Sequence, residues 1–105
     1  MTVMIMTWVQ LRVHPHKESE ALFAIDQLVT QMRASRGCGR GRLLEDAADP
    51  HAFFIIGEWD CEADVDAFLA SRDFQVFKGI RILLRGQPVV TIDDVQHRVT
   101  RLVTQ

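Results

Sequence analysis

Hydrophobic and polar positions alternate over the first dozen residues. Val3, Ile5, Thr7, Val9, Leu11 and Val13 alternate with Met4, Met6, Trp8, Gln10 and Arg12, which predicts a strand from Val3 to Val13. One of its faces is core-like throughout. The other begins apolar and turns polar only by Arg12. A strand apolar on both faces for most of its length expects cover on both. Helices of the same chain supply one cover, and a partner subunit is the economical source of the second.

The period then changes. Ala21, Leu22, Ile25, Leu28, Val29 and Met32 fall on one helical face, predicting a helix from Lys17 to Ser35 with Gly37 as its stop. Glu18 and Glu20 in its first turn and Arg33 in its last suit the helix dipole. Between Ser35 and Trp59 the partly alternating run around Arg42-Leu43-Leu44, the Asp49-Pro50 turn and the run Ala52 to Gly57 predict a β-hairpin. Val65, Phe68 and Leu69 mark a second helix over Glu62 to Leu69, with Asp60 as its cap. Ser71 reads as a fresh N-cap for a third helix that carries Phe74, Phe77 and Ile80 to about Leu84. Gly86-Gln87-Pro88 then turns the chain into a strand over Val89 to Ile92. In the tail, positions 95, 99, 102 and 103 have helical spacing, yet valine and threonine favour strand. The element order is β-α-β-β-α-β, an α+β chain with an antiparallel sheet.

Composition narrows the class. A chain of 105 residues, 48% hydrophobic and 25% charged, is expected to form a single globular domain spanning 1–105 rather than a disordered segment. A formal charge of -2 gives no basic footprint for nucleic acid or for an anionic membrane surface. No apolar run approaches the roughly 20 residues of a membrane span, and the first residues lack the basic region and cleavage site of a secretory leader. A cytoplasmic location is expected. The two cysteines, Cys38 and Cys61, are too few for a disulfide framework and are expected to be small buried or half-buried side chains.

The residues Gly37-Cys38, Arg42-Leu43-Leu44-Glu45-Asp46, Asp49-Pro50, Phe53-Phe54-Ile55-Ile56, Glu58-Trp59 and Phe68-Leu69-Ala70-Ser71, with Phe74 and Phe77, resemble the antibiotic biosynthesis monooxygenase domain. The resemblance runs from about residue 3 to residue 94. It implies a ferredoxin-like α+β fold with helices on one face of the sheet. It also implies a homodimer formed sheet to sheet as a dimeric α/β barrel. The best-characterised members oxidise polyphenolic or quinol-type compounds with molecular oxygen and use no flavin, haem or metal. An electron-rich phenolate donates to oxygen by itself, so the protein supplies a dry pocket, aromatic walls and a few polar groups for the anion. Departures from the pattern are plain. Phe68 stands where relatives often have a histidine, and the chain has no tyrosine. Haem-degrading relatives rely on an asparagine and a histidine where this chain has Gln10 and, about one residue displaced, Lys78, which disfavours haem degradation.

The expected substrate pocket, for a small apolar or aromatic molecule, is lined by Trp8, Gln10, Trp59, Phe68 and Phe77. Each has a blander reading beside the functional one. Trp59 at the end of the hairpin suits a core aromatic as well as a pocket wall. Trp8 and Gln10 share a strand face and suit a dimer interface equally, and Phe68, Phe74 and Phe77 form a stripe that suits a core. His14, His16, His51 and His97 offer imidazoles that could serve as metal ligands, but no third ligand for a metal accompanies any pair, and His51 in the hairpin turn is expected to be solvated. Arg40 and Arg42 share a face that suits either an acidic ligand or a surface ladder. No constellation amounts to a catalytic signature, and no general base stands out. The leading expectation is a cofactor-independent monooxygenase; the alternatives are a non-catalytic ligand-binding dimer and, behind it, a haem-binding or haem-degrading protein.

Overall fold

The strand at the start of the chain becomes the centre of the sheet. In the computed structural model, which describes residues 5–103, β1 (Ile5–Arg12) pairs antiparallel with β3 (Ala52–Trp59) on one side and β4 (Val89–Asp94) on the other. β2 (Cys38–Glu45) adds outside β3 and β5 (Val99–Val103) outside β4, giving the order β2-β3-β1-β4-β5. Three helices complete the ferredoxin-like α+β fold: α1 (Glu18–Ala34), α2 (Glu62–Leu69) and α3 (Arg72–Lys78).

Alternation along β1 assigns the faces. Ile5, Thr7, Val9 and Leu11 are buried, and across the ladders they meet Trp59, Gly57, Ile55 and Phe53 of β3 and Ile92 and Val90 of β4. Against this face α1 lays Ala21, Ile25, Leu28, Val29 and Met32, all buried, as the sequence spacing predicts. Burying each of the larger ones contributes roughly 1.5–3 kcal/mol before the entropy of ordering is set against it. The opposite face carries Met6, Trp8 and Gln10, half-buried, with Phe54 and Ile56 beside them on β3 and Val89 and Thr91 on β4. No helix covers it.

The turn after α1 depends on Gly37, whose φ of 81° lies in the left-handed region that glycine occupies without strain. A Cβ there would also fall 2.0–2.8 Å from the Asp64 side chain at the start of α2. Space and backbone conformation therefore specify the same residue.

Four local expectations change. The ambiguous tail forms β5, a fifth strand reached through a tight turn in which Arg98 takes φ 56° and Asp94 Oδ1 accepts from the His97 backbone N–H at 3.0 Å. Its residues are mostly exposed, so burial never stamped a period on them. The third helix stops at Lys78, because Gly79 caps it and Ile80 N–H turns back to the Phe77 carbonyl. A single 3-10 turn follows at Arg81–Leu83. Asp60 does not cap α2; Cys61 occupies that position with no side-chain cap, and its thiol lies 3.1 Å from Asp64 Oδ2. Cys61 is exposed rather than buried, whereas Cys38 is half-buried as expected. Ser71 does cap α3, accepting from Phe74 N–H at 3.3 Å. The predicted start of the first strand at Val3 lies outside the described residues. No helix among the described residues is long and apolar enough to cross a membrane.

Candidate functional site

Two regions hold the chemistry-bearing side chains, one on each face of the sheet. On the helix-covered face an aromatic series begins at Trp59, the last residue of β3. Its ring centroid lies 5.4 Å from that of Phe68 on α2; Phe68 lies 5.6 Å from Phe74, and Phe74 lies 6.2 Å from Phe77, both on α3. The rings are tilted against one another, an arrangement that favours edge-to-face contact. Trp59 is 1% exposed, and its indole N–H donates to Thr7 Oγ1 at 3.0 Å. Thr7 is the one polar side chain in the buried core among the described residues, and this bond satisfies it.

Gly57 makes that bond possible. It pairs with Thr7 across the β1–β3 ladder, and a Cβ at this position would sit 2.6 Å from the indole nitrogen, 2.8 Å from Thr7 Oγ1 and 3.0 Å from the Met32 sulfur. The missing side chain is the space through which the indole reaches the threonine.

The series ends on a groove. Phe77 forms part of the wall of a half-open cavity of about 350 Å³ between α1 and α3, whose apolar side is completed by Leu28 and Ile80. Asp26, Arg72 and Asp73 bring opposite charges to the same groove.

On the uncovered face Gln10 and Arg12 of β1, Arg85 and Gln87 of the segment before β4, and Val89 of β4 enclose a smaller pocket of about 250 Å³. Trp8 stands on the same face, flanked by Ile56 and Thr91.

The five residues expected to line one pocket therefore separate. Trp8 and Gln10 point to the uncovered face, while Trp59, Phe68 and Phe77 lie on the helix side, Trp59 and Phe68 inside the core. The physical reason is strand parity. Trp59 opposes Ile5, so it takes the face of the odd-numbered residues of β1, and Trp8 belongs to the even-numbered set. Of the three on the helix side, Phe77 reaches a cavity. Sequence reasoning missed Thr7, although a threonine among Ile5, Val9 and Leu11 on a core face signals a buried hydroxyl that needs a partner. It also missed Arg85 and Gln87, which become neighbours of Gln10 only through strand pairing.

Cys38, Asp94, His97 and His51 lie outside both cavities. Burial pushes the Cys38 thiol up from its ordinary value, outweighing the lowering effects of the Arg40 backbone and the Arg33 charge, so the thiol is not activated. In the β4–β5 turn, His97 holds the Asp94 carboxyl below the usual carboxylate range, chiefly through the side-chain contact of 2.9 Å. His51 is less solvated than expected: it is half-buried, its Nδ1 has no hydrogen-bond partner, and Glu18 Oε2 stands 4.0 Å away. No group of three or more histidine, cysteine or acidic side chains suited to a metal occurs among the described residues.

Comparison with known proteins adds the family relationship. Residues 4–79 match the model of the family described as antibiotic biosynthesis monooxygenase. A solved structure of an antibiotic biosynthesis monooxygenase superposes with a TM-score of 0.79 at 25% identity, covering 88% of this chain and 98% of that one. A conserved protein from Methanosarcina mazei Go1 superposes with a TM-score of 0.78 at 19% identity, covering 86% of this chain and 90% of its own. A protein from Pseudomonas aeruginosa does so at 0.74 and 23% identity, over 100% of this chain and 98% of its own. No curated protein matches the chain.

Proposed function

The chain belongs to the antibiotic biosynthesis monooxygenase family, and on that premise we propose that it oxidises a small phenolic or quinol-type compound with molecular oxygen, without a cofactor. The observation that carries this reading beyond the family is the groove between α1 and α3, where an aromatic wall, Phe77, stands close to the carboxylates Asp26 and Asp73. Phe77 positions the flat ring, with Phe74, Phe68 and Trp59 stacked behind it as a stiff support. A groove carboxylate takes the phenolic proton, and Arg72 offsets the resulting negative charge.

The chemistry balances without a further reductant. For a phenol with hydrogen para to its hydroxyl, the phenolate gives an electron to oxygen, and the radical pair joins as a peroxide at that para carbon. Loss of water from that carbon, which carried one hydrogen, leaves a para-quinone. One oxygen atom ends in the quinone and the other in water.

The test is oxygen uptake with a panel of phenols and polyphenols that carry hydrogen para to a hydroxyl. Saturable uptake is expected, and Asp26→Asn/Asp73→Asn is expected to lower kcat by about a hundredfold or more. Uptake unaffected by that pair and by Phe77→Leu would place the reaction elsewhere. A panel without any uptake would favour the second reading, a non-catalytic dimer that binds a small apolar ligand. Phe68, where relatives often have a histidine, and the absence of tyrosine support that alternative.

We also infer a cytoplasmic homodimer joined through the uncovered sheet face. Met6, Trp8, Phe54 and Ile56 give this face an apolar centre, and Arg40, Arg42, Glu58 and Asp93 give it charges of both signs. Sedimentation at micromolar concentration is expected to give twice the 12.0 kDa chain mass, and Trp8→Glu to return the monomer. A 12.0 kDa species in the unsubstituted protein overturns the dimer.

A further inference from the structure

The pocket on the uncovered face arises from a mismatch between two paired segments. Val13 bridges Leu84, and Gln10 pairs with Val89. Between those pairings β1 spends only Leu11 and Arg12, whereas the other segment spends Arg85, Gly86, Gln87 and Pro88. The surplus loops outward. Arg85 N–H donates to the Arg12 carbonyl at 2.7 Å, which pins the two arginines side by side through their backbones. Gly86, at φ 89°, then takes the left-handed turn that lets Gln87 come back toward the sheet. The resulting space of about 250 Å³ has four polar lining residues, Gln10, Arg12, Arg85 and Gln87, and one apolar one, Val89.

All four polar side chains carry hydrogen-bond donors, and among the described residues no acid lines the pocket. Among the described residues neither arginine belongs to an ion pair. None of the hydrogen bonds between described side chains occupies either guanidinium or either amide. Two neighbouring uncompensated cations repel each other, and an anion between them removes that repulsion while accepting from both. Guanidinium forks match the paired oxygens of a carboxylate or a phosphate, and the amides supply further donors. Val89, 44% exposed, offers a surface for an apolar body attached to the anion.

We propose that this pocket binds a small organic oxyanion, a carboxylate or a phosphate monoester, with its charged end between Arg12 and Arg85 and its apolar body against Val89. The site is separate from the groove between α1 and α3 and does not depend on the oxygen chemistry; it stands at the end of the uncovered face, beside the last β1–β4 pair, Gln10 and Val89, and so at the rim of the homodimer proposed above. Its test reads binding, not turnover, so failure of one leaves the other standing.

The experiment is calorimetric titration of the full chain at low salt with benzoate, phenyl phosphate and the neutral analogue benzamide. Benzoate or phenyl phosphate is expected to bind once per chain, with affinity that falls as salt is raised. The stronger of the two identifies the oxyanion. Arg12→Gln and Arg85→Gln are each expected to weaken binding by about tenfold or more, while the melting temperature stays unchanged because both side chains are exposed. Benzamide is expected not to bind. Three results overturn the proposal: no binding of either anion, equal binding to the Arg12→Gln/Arg85→Gln variant, or equal binding of benzamide. Inorganic phosphate binding as tightly as phenyl phosphate overturns the role given to Val89.

Discussion

Trp59→Ala is expected to destabilise the protein by about 3–5 kcal/mol, the range for removing a buried aromatic. For a domain of this size that corresponds to a fall in melting temperature of about 12–20 °C, at about 4 °C per kcal/mol. Two losses combine. The indole leaves a cavity between Phe68 and the sheet, and the hydroxyl of Thr7, 2% exposed, loses the indole donor. A smaller change separates them. Trp59→Phe keeps most of the ring but strands the hydroxyl, at about 1–3 kcal/mol. Combining it with Thr7→Val removes both polar partners, so the double variant is expected to be more stable than the sum of the singles predicts. Thermal and urea denaturation of the four proteins measure this. If Trp59→Ala melts like the unsubstituted protein but loses a ligand, the tryptophan is a pocket wall and the packing argument fails.

Gly57→Val should cost about 3 kcal/mol, at the upper end of ordinary overpacking. The sign is what makes the prediction informative. Valine is a better strand former than glycine, and at an open strand position the exchange stabilises by up to about 1 kcal/mol. At Gly57 even the first added carbon would meet the indole nitrogen at 2.6 Å and Thr7 Oγ1 at 2.8 Å, so the indole must leave its hydrogen bond. Gly57→Ala should show the same sign with a smaller magnitude. Stabilisation by either substitution, measured by denaturant midpoint, would mean that the space beside Trp59 is not closed.

The parts of the fold that were legible in the sequence are those where burial imposes a period. The face of α1 and the core face of β1 carry every large apolar side chain that packing demands, and Gly37 marks the turn because no other residue fits its backbone and its neighbour Asp64. β5 was not legible, since an exposed edge strand has no side that must be apolar. The apolar run Ile80, Ile82, Leu83, Leu84 imitates a continuing helix, yet Leu84 is drawn into a bridge with Val13 and Ile82 is left exposed. Of the site, individual residues were legible but their grouping was not. Trp8 and Trp59 stand out as large aromatics in any reading. Only the register Ile5 to Trp59 reveals that they face opposite sides of the sheet. Arg12 and Arg85 lie far apart in the chain and meet through one bridge, which leaves no local signature.

The central position of β1 has a kinetic side. Val9 sits between Ile55 and Val90, so the strand is synthesised before either neighbour exists and cannot complete its ladders until the last third of the chain has been made. Pairing of this separation requires long loops to close before it is rewarded, which slows folding relative to a helical bundle of equal size. Meanwhile a segment with apolar side chains on both faces waits without cover, the kind of segment that draws self-association in an incomplete chain. Refolding of the full chain should therefore be limited by docking of β4 against β1, the step at which Val90 reaches Val9.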